Sequence, residues 1–412
     1  MNANLKKIQV ADVRLGMYVH EVCGSWVDHP FWKKTFKVSN AKILKALQEC
    51  GIHEVWIDVS RGLDVGADAE AFSEEDEKVR VDQTLRSAIA SVRKAERPVE
   101  LHEELGKARM IHARARKEVE SMFQEARMGK ALQLEQAESL VDEISHSIMR
   151  NQCALLSLAR LKNKDDYTYL HSVAVCALMI ALARQLGMNE DAVRQAGMAG
   201  LLHDIGKIMT PEEVLNKPGS LTREEFDIMK LHPRSGWEIL KVSHGVSEIS
   251  LDVCLHHHER IDGKGYPEKL SGESISLFAR MGAICDVYDA ITSERCYKPG
   301  WEPAAAIRKM AEWKDGNYDE SVFHAFIKTV GIYPVGTLVR LESGRLGVVA
   351  DQSPDSLLTP RVVVFYSSRS REHIYPEPIE LSKSRDTITG IEKASDWKFD
   401  LAMLQGMVQL AA

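Results

Sequence analysis

The stretch LLHDIGKI, residues 201–208, places a histidine and an aspartate side by side at the end of an apolar helix. Adjacent helical residues point about 100° apart, so both side chains can reach one cluster only between several helices. Three further stretches carry the same kinds of side chain: LHPRSGW at 231–237, HHHERIDGKGYP at 256–267 and CDVYDAITSERCYK at 285–298. Residues from about 165 to 330 are therefore predicted to form a compact, all-helical core.

Local signals support helices throughout this core. The segment YTYLHSVAVCALMIALARQLG predicts a helix that stops near Gly187, and LTREEFDIMK has the capping-box pair Thr222 and Glu225 at its start. The longest apolar run, residues 173–183, is too short to cross a bilayer and predicts a buried helix.

The segments around the core have different textures. Residues 1–63 predict a small α/β domain, whose helix is capped by Ser39 or Asn40 and ends before Gly51. Residues 64–150 predict an acidic linker and long connecting helices, interrupted at Gly129. The helical core is assigned to 151–331, and 332–412 to a short β appendage, with a hairpin turn at Gly344, and a tail. The expected fold class is mostly α, with an all-helical core between these smaller parts.

Composition limits the function classes. The chain has 412 residues and a formal net charge of −7, so it lacks the basic character of a general DNA- or RNA-binding protein. An anionic substrate must then be met by metal ions and a few basic side chains. The 7 cysteines form no C-x-x-C pair, which indicates free thiols in a reducing cytoplasm. The N-terminal residues contain no apolar signal segment, and no membrane partner is expected.

The histidines and aspartates indicate a metal centre when they are considered together. Taken singly, each has an ordinary explanation: a core histidine, a turn, or a solvated histidine tract. Neutral imidazole and carboxylate suit divalent first-row metals, and paired metals clamp and activate phosphoryl oxygens. Five histidines and two aspartates fall on neighbouring predicted helices: His171, His203, Asp204, His232, His257, His258 and Asp286.

These motifs resemble the HD-GYP family, a branch of the HD metal-phosphohydrolase superfamily. The resemblance is carried by His203-Asp204 with IGK, by the GYP triplet Gly265-Tyr266-Pro267, and by DVYDAITSERCYK, and it covers roughly residues 150–330. Family members hydrolyse cyclic di-GMP, a bacterial second messenger that controls biofilm formation, motility and virulence. The N-terminal stretch is also similar to a domain often found ahead of HD-GYP.

The resemblance implies roles for individual residues. It makes the seven residues above the ligands of two divalent ions, iron or manganese, with Asp204 bridging them. Asp204 and Lys207 would be catalytic, with Lys207 near the scissile phosphate. Tyr266 would line the substrate pocket, and Arg295 and Lys298 would hold the dinucleotide phosphates. Three acidic residues would support the ligands or the loop: Glu259, Asp262 and Asp289.

One position departs from part of the family. Some members hold a third metal through a glutamate one helical turn before the first ligand histidine, and here that position is Tyr167. A phenol with a pKa of about 10 is protonated at neutral pH and is a poor ligand. The sequence therefore predicts two metal ions.

Three functions stay open at this point. The first is a phosphodiesterase that converts cyclic di-GMP to the linear dinucleotide and then to GMP. The second is a non-catalytic cyclic dinucleotide receptor, or a docking partner that meets GGDEF-type diguanylate cyclases through its GYP loop. The third is an HD phosphohydrolase for another nucleotide, including a mixed cyclic GMP–AMP. The complete ligand set favours catalysis, and the GYP and SERCYK segments favour a cyclic dinucleotide; oligomer formation is compatible with all three.

Overall fold

The structure is a computed structural model in which a helical core lies between two five-stranded sheets. It describes residues 4–24, 35–66, 69–89, 99, 101–132, 134–159, 167–217, 219, 221–293, 300–353 and 356–410. The predicted fold class is confirmed, whereas the bounds assigned to the individual domains stay a prediction.

The N-terminal sheet has the strand order β3-β2-β4-β1-β5. Its strands are β1 (Leu5–Gln9), β2 (Tyr18–Val22), β3 (Phe36–Lys37), β4 (Glu54–Asp58) and β5 (Ala71–Ser73). Helix α1 (Ala41–Glu49) begins at the predicted cap, since the Asn40 side chain accepts the Ile43 backbone N–H. Strand β5 pairs with β1 in a stretch that was expected to be linker. Its three residues are too few to show the alternation by which strands are recognised.

The helices that follow build the core. They are α2 (Glu74–Ile89), α3 (Leu101–Arg127), α4 (Glu135–Ala159), α5 (Tyr167–Gln185), α6 (Glu190–Leu202), α7 (Glu212–Leu215), α8 (Arg223–Met229), α9 (His232–Lys241), α10 (Glu248–His256), α11 (Leu277–Thr292), α12 (Pro303–Glu312), α13 (Lys314–Asn317) and α14 (Glu320–Val330). Gly129, with φ +71°, follows the end of α3, and both members of the predicted capping box bond at the start of α8.

Helix α5 is the centre of the core. It packs against α3, α4, α6, α11 and α14. Residues 173–183 are all buried, as the sequence predicts. The segment Thr168–Gln185 is apolar and long enough to cross a membrane, but 78% of it is buried inside the protein. Its apolar character is therefore explained by its neighbours in the core.

The C-terminal sheet has the order β10-β6-β7-β8-β9. It consists of β6 (Leu338–Leu341), β7 (Arg345–Asp351), β8 (Arg361–Ser367), β9 (Glu372–Glu380) and β10 (Ile388–Ile391), with α15 (Leu401–Leu410) packed on β7. Gly344, at φ +82°, forms the predicted turn between β6 and β7. The C-terminal residues that were expected to form a tail supply β10. This strand pairs with β6, and the expectation of a tail was therefore incomplete.

Buried charges join the N-terminal sheet to the helices. The side chain of Lys7 is fully buried, and its ammonium lies 2.7 Å from the Glu54 carboxylate and 3.1 Å from the Glu77 carboxylate of α2. The Trp56 indole donates to Glu312 of α12 at 2.7 Å. Charges removed from water are tolerated when they are paired in this way. These contacts fix the sheet against α2 and α12.

Candidate metal centre

The seven predicted ligands lie on, or directly after, five helices that converge on one point. His171 lies on α5, His203 and Asp204 follow the end of α6, and His232 begins α9. The other three are His257 and His258, which follow α10, and Asp286 on α11. All seven are buried. Helices from distant parts of the sequence thus deliver ligand atoms to a site shielded from bulk water.

The ligand atoms form two groups. One contains His171, His203, Asp204 and Asp286, and the other contains His232, His257 and His258. Within each group, the candidate ligand atoms lie within 4.8 Å of one another. Each group therefore has the donor types and the spacing of a site for one divalent cation.

Asp204 lies between the two groups. Its Oδ2 is 3.3 Å from His171 Nε2 and 3.4 Å from His203 Nε2. Its Oδ1 is 3.3 Å from His232 Nε2 and 3.8 Å from His257 Nε2. One carboxylate therefore offers one oxygen to each group, as a bridging ligand does.

Asp286 also faces both groups. Its Oδ1 lies 2.9 Å from His171 Nε2, whereas its Oδ2 lies 3.8 Å from His258 Nδ1. The sequence assigned the bridging position to Asp204 alone. A motif cannot show in which direction each oxygen of a carboxylate points.

Unpaired polar atoms support the fit of a cation here. His203 Nε2 and Asp204 Oδ1 are buried, and neither has a hydrogen-bond partner among the described residues. A buried polar atom without a partner costs free energy. A divalent metal coordinated by these atoms would satisfy both, so the donor set and the unpaired atoms fit a divalent metal centre.

The ligand histidines are oriented by their second ring nitrogen. In four of them Nδ1 donates to an oxygen outside the cluster, and the partners are Gly200 O for His203, Met229 O for His232, Val253 O for His257 and Asp289 Oδ2 for His171. These hydrogen bonds turn Nε2 toward the centre and fix the tautomer that can bind metal. The bond from His171 to Asp289 is 2.6 Å long.

Burial sets the charge of two ligand histidines. It lowers the pKa of His232 to about 4 and that of His257 to about 3. Both imidazoles are therefore neutral at pH 7, which is the form that binds a metal.

The carboxylates are held in their charged form. Burial alone would raise the pKa of Asp204, but the positive charge of Lys207 and the neighbouring histidines hold it well below its usual value. The pKa of Asp286 is also held well below its usual value, because hydrogen bonding and charge from His171 outweigh burial. Two ionised carboxylates are thus available to compensate cationic charge.

A glycine in the HDIGK motif allows the two halves of the site to meet. A Cβ at Gly206 would lie 2.0 Å from the His232 carbonyl oxygen and 2.4 Å from the Gly236 nitrogen. Only a residue without a side chain permits this approach of the 205–209 turn to α9. The approach brings His232 next to Asp204.

Two of the predicted substrate residues border the metal ligands. The Lys207 ammonium pairs with Asp204 Oδ2, and the Tyr266 ring stacks on the His258 ring with centroids 4.7 Å apart. The other two, Arg295 and Lys298, lie outside the described residues, as does the side chain of Tyr167. Lys207 and Tyr266 thus each contact one of the candidate ligands.

The acidic residues expected to support the site have identifiable partners. Asp289, one helical turn after Asp286, holds His171, as described above. Glu259 accepts the backbone N–H groups of Glu268 at 2.6 Å and Leu270 at 3.1 Å, and so closes the loop that carries the GYP triplet. Asp262 accepts the Lys264 backbone N–H at 2.9 Å within the same loop.

His256, the first of the three consecutive histidines, faces away from the cluster. Its Nδ1 lies 2.7 Å from Asp252 and its Nε2 lies 3.4 Å from Glu268. Sequence reasoning did not foresee this pair of contacts. The spacing of four residues between Asp252 and His256 on one helix could have indicated the first of the two contacts.

Comparisons with known proteins agree with this geometry. A model for a domain of unknown function (DUF3391) matches residues 5–137, and a model for an HD domain matches residues 136–322. A cyclic di-GMP phosphodiesterase of Pseudomonas aeruginosa is 54% identical over 398 residues, which cover 96% of this chain and 94% of that protein.

Two further relatives align over a smaller region. A cyclic di-GMP phosphodiesterase response regulator of Xanthomonas campestris is 38% identical over 201 residues, 48% of this chain and 53% of its own length. A 3′3′-cGAMP-specific phosphodiesterase of Vibrio cholerae is 35% identical over 176 residues, 42% of this chain and 41% of its own length. The Pseudomonas relative, in contrast, aligns over nearly its whole length, and the HD model covers the helices that carry the candidate ligands. The chain therefore belongs to the HD-GYP family of cyclic di-GMP phosphodiesterases.

Proposed function

We propose that this protein hydrolyses cyclic di-GMP at a centre of two divalent metal ions. The observation that carries the proposal is the pair of ligand groups on either side of Asp204, whose two oxygens face different groups. The printed activity of the Pseudomonas aeruginosa relative, which aligns over 96% of this chain, supports cyclic di-GMP as the substrate.

The protein side chains hold and orient the reacting groups. When bound, two divalent cations supply an activated water and stabilise negative charge on phosphoryl oxygens. Lys207, beside Asp204, adds positive charge where the scissile phosphate would lie. Tyr266, whose ring stacks on that of His258, contacts the bound substrate. Arg295 and Lys298 hold the dinucleotide phosphates, for which the planar guanidinium of Arg295 suits a bidentate contact.

The reaction proceeds in two hydrolytic steps. The first opens the ring to the linear dinucleotide pGpG, and the second releases GMP. The protein thereby lowers cyclic di-GMP signalling in the cytoplasm and affects biofilm formation, motility and virulence. We take the two ions to be iron or manganese, which are among the metals that sites of imidazole and carboxylate accept according to availability.

A mixed cyclic GMP–AMP is a second candidate substrate. The observation in its favour is the 35% identity to the Vibrio cholerae enzyme that is specific for 3′3′-cGAMP. That alignment covers 42% of this chain, whereas the alignment to the cyclic di-GMP enzyme covers 96%. We therefore favour cyclic di-GMP over the mixed dinucleotide as the proposed substrate. A docking role of the GYP loop toward GGDEF-type diguanylate cyclases is compatible with catalysis.

The test is product analysis under controlled metal loading. The protein is stripped of metal, reloaded anaerobically with iron or manganese, and incubated with either cyclic dinucleotide before chromatography. We expect pGpG and then GMP from cyclic di-GMP, slower conversion of cyclic GMP–AMP, and no product from the stripped protein. Tight binding of cyclic di-GMP without turnover in either metal form would instead support the receptor function.

A further inference from the structure

The N-terminal sheet contacts the loop that carries the GYP triplet. The contact is made by the short turn between α1 and β4, which contains His53. His53 Nε2 donates to Asp262 Oδ2, and the Lys264 ammonium donates to His53 Nδ1 at 3.0 Å. One imidazole thus bonds to two residues of the loop, which lie more than 200 positions away in the sequence.

The chemistry of imidazole suits this double contact. A neutral ring with its proton on Nε2 donates at that atom and accepts at Nδ1, so it can serve a carboxylate and an ammonium at once. The backbone of His53 is held in the sheet, because its carbonyl oxygen accepts the Val10 N–H at 2.6 Å. The loop is therefore bonded to a residue whose backbone is anchored next to β1.

Asp262, which bonds to His53, also makes hydrogen bonds that hold the rest of the loop. Its carboxylate also accepts from the Arg260 guanidinium at 2.8 Å and from the Lys264 backbone N–H at 2.9 Å. Its own backbone N–H donates to the Gly316 carbonyl oxygen at 3.0 Å. The position of Asp262 hence fixes the path of the chain on both sides of it.

The same loop presents Tyr266 to the metal centre. The Tyr266 backbone N–H donates to the His258 carbonyl oxygen at 3.2 Å, and the two rings stack. A Cβ at Gly265 would lie 2.5 Å from the Glu259 Cα, so the loop folds tightly onto its own start. In a segment packed this closely, a displacement at Asp262 shifts Tyr266 as well.

We propose that His53 is a positioning residue for substrate binding: through it the N-terminal domain holds the GYP loop so that Tyr266 faces the substrate. This inference rests on the proposed function. It gives the N-terminal domain a place in the substrate site, although that domain contributes none of the seven metal ligands. It also means that one side of the loop, at Lys264, faces this domain.

The test separates substrate positioning from metal chemistry. Steady-state kinetics are measured with cyclic di-GMP and with bis(p-nitrophenyl) phosphate, a small diester that lacks guanine bases. His53→Ala should raise KM for cyclic di-GMP by roughly three- to tenfold, as expected for loss of a partly exposed charged hydrogen bond. Its kcat, its metal content and its turnover of the small diester should stay close to those of the unmodified protein.

Two matched variants sharpen the comparison. His53→Gln should keep KM near the original value, because a carboxamide also offers an N–H donor group and an acceptor oxygen. His20→Ala removes a half-buried histidine of β2 in the same sheet and should leave all parameters unchanged. Hydrogen exchange supplies a readout that does not depend on activity: His53→Ala should speed exchange in the 259–270 segment, where Glu259 holds two amides.

Each alternative result has a definite meaning. An unchanged KM in His53→Ala, with an active unmodified protein, would overturn the inference. Equal losses on both substrates together with loss of metal would also overturn it, since His53 would then only stabilise the fold. Absence of cyclic di-GMP turnover in the unmodified protein would count against the proposed function instead. In that case, unchanged exchange in the 259–270 segment would still refute the positioning role.

Discussion

At the scale of single residues, two of the three aspartates at the candidate site, Asp204 and Asp289, have different surroundings. Asp204 is buried between both groups of histidines, with its charge held by Lys207. Asp289 contacts Nδ1 of His171, whereas Nε2 of the same ring faces the cluster. The first is a candidate metal ligand, and the second orients a candidate ligand histidine.

We expect Asp204→Ala to abolish turnover and to lower metal content. Without the shared carboxylate, two cations would face each other with less compensating charge between them. Elemental analysis and product chromatography measure the two effects. Asp227→Ala, which removes an exposed carboxylate paired with Lys230 on α8, should change neither. Full metal content and normal activity in Asp204→Ala would show that the centre lies elsewhere.

Asp289→Ala should weaken metal binding without removing any ligand. Loss of a residue that orients a ligand histidine lowers metal affinity or activity by about 10- to 100-fold. Competition with a chromophoric chelator measures the affinity. If the affinity stayed within about twofold of the original value, His171 would be held by its packing in α5 and not by Asp289.

At the scale of elements, close packing brings the ligands together. Helix α5 is buried from residue 170 to residue 183 and carries His171 in its first half. The 205–209 turn meets α9 at Gly206, where no side chain larger than hydrogen fits. The ligand set is therefore a consequence of how α5, α6, α9, α10 and α11 cross.

The first turn of α5 decides the predicted metal count. Tyr167 begins the helix four positions before His171, and residues four apart share a helix face. We expect two ions per chain in the unmodified protein and a capacity approaching three in Tyr167→Glu, where a carboxylate replaces a protonated phenol. Elemental analysis or anomalous scattering gives the count. Three fully occupied ions in the unmodified protein would contradict this expectation.

At the scale of the whole molecule, buried charge joins the N-terminal sheet to the core. Lys7 is fully buried between Glu54 and Glu77, whereas the neighbouring Lys6 is 34% exposed in its pair with Asp64. Removal of one partner from a buried pair leaves the other charge uncompensated. The same loss at the surface is largely screened by water.

Lys7→Ala should lower the free energy of unfolding by about 3–5 kcal/mol, and Lys6→Ala by about 1 kcal/mol or less. Urea denaturation of both variants at several pH values checks this. Burial raises the pKa of the Glu77 carboxyl, so protonation of this residue favours the folded state as the pH falls. The penalty of Lys7→Ala should therefore be largest at neutral pH and smaller in acid. Equal effects of the two variants would mean that the Lys7 cluster does not stabilise the junction.

The fold class and the residue types of the candidate ligands were predictable from local patterns in the sequence. Metal coordination restricts the residue types, and helical spacing restricts where they occur, so His203-Asp204 and the three later motifs were informative without a structure. Capping is equally local, which is why the starts of α1 and α8 were predicted from Asn40 and from Thr222 with Glu225. Such signals depend on residues only a few positions apart.

Features that depend on distant contacts could not be predicted from such local patterns. The opposed directions of the Asp204 and Asp286 oxygens follow from how five helices cross, and no motif encodes a side-chain direction. Strand β5 exists because β1 offers it backbone partners, since its three residues have little strand signal of their own. The bond between His53 and Asp262 joins positions 209 residues apart. Contacts of this kind form only when the chain has folded, because packing brings together groups that the sequence keeps far apart.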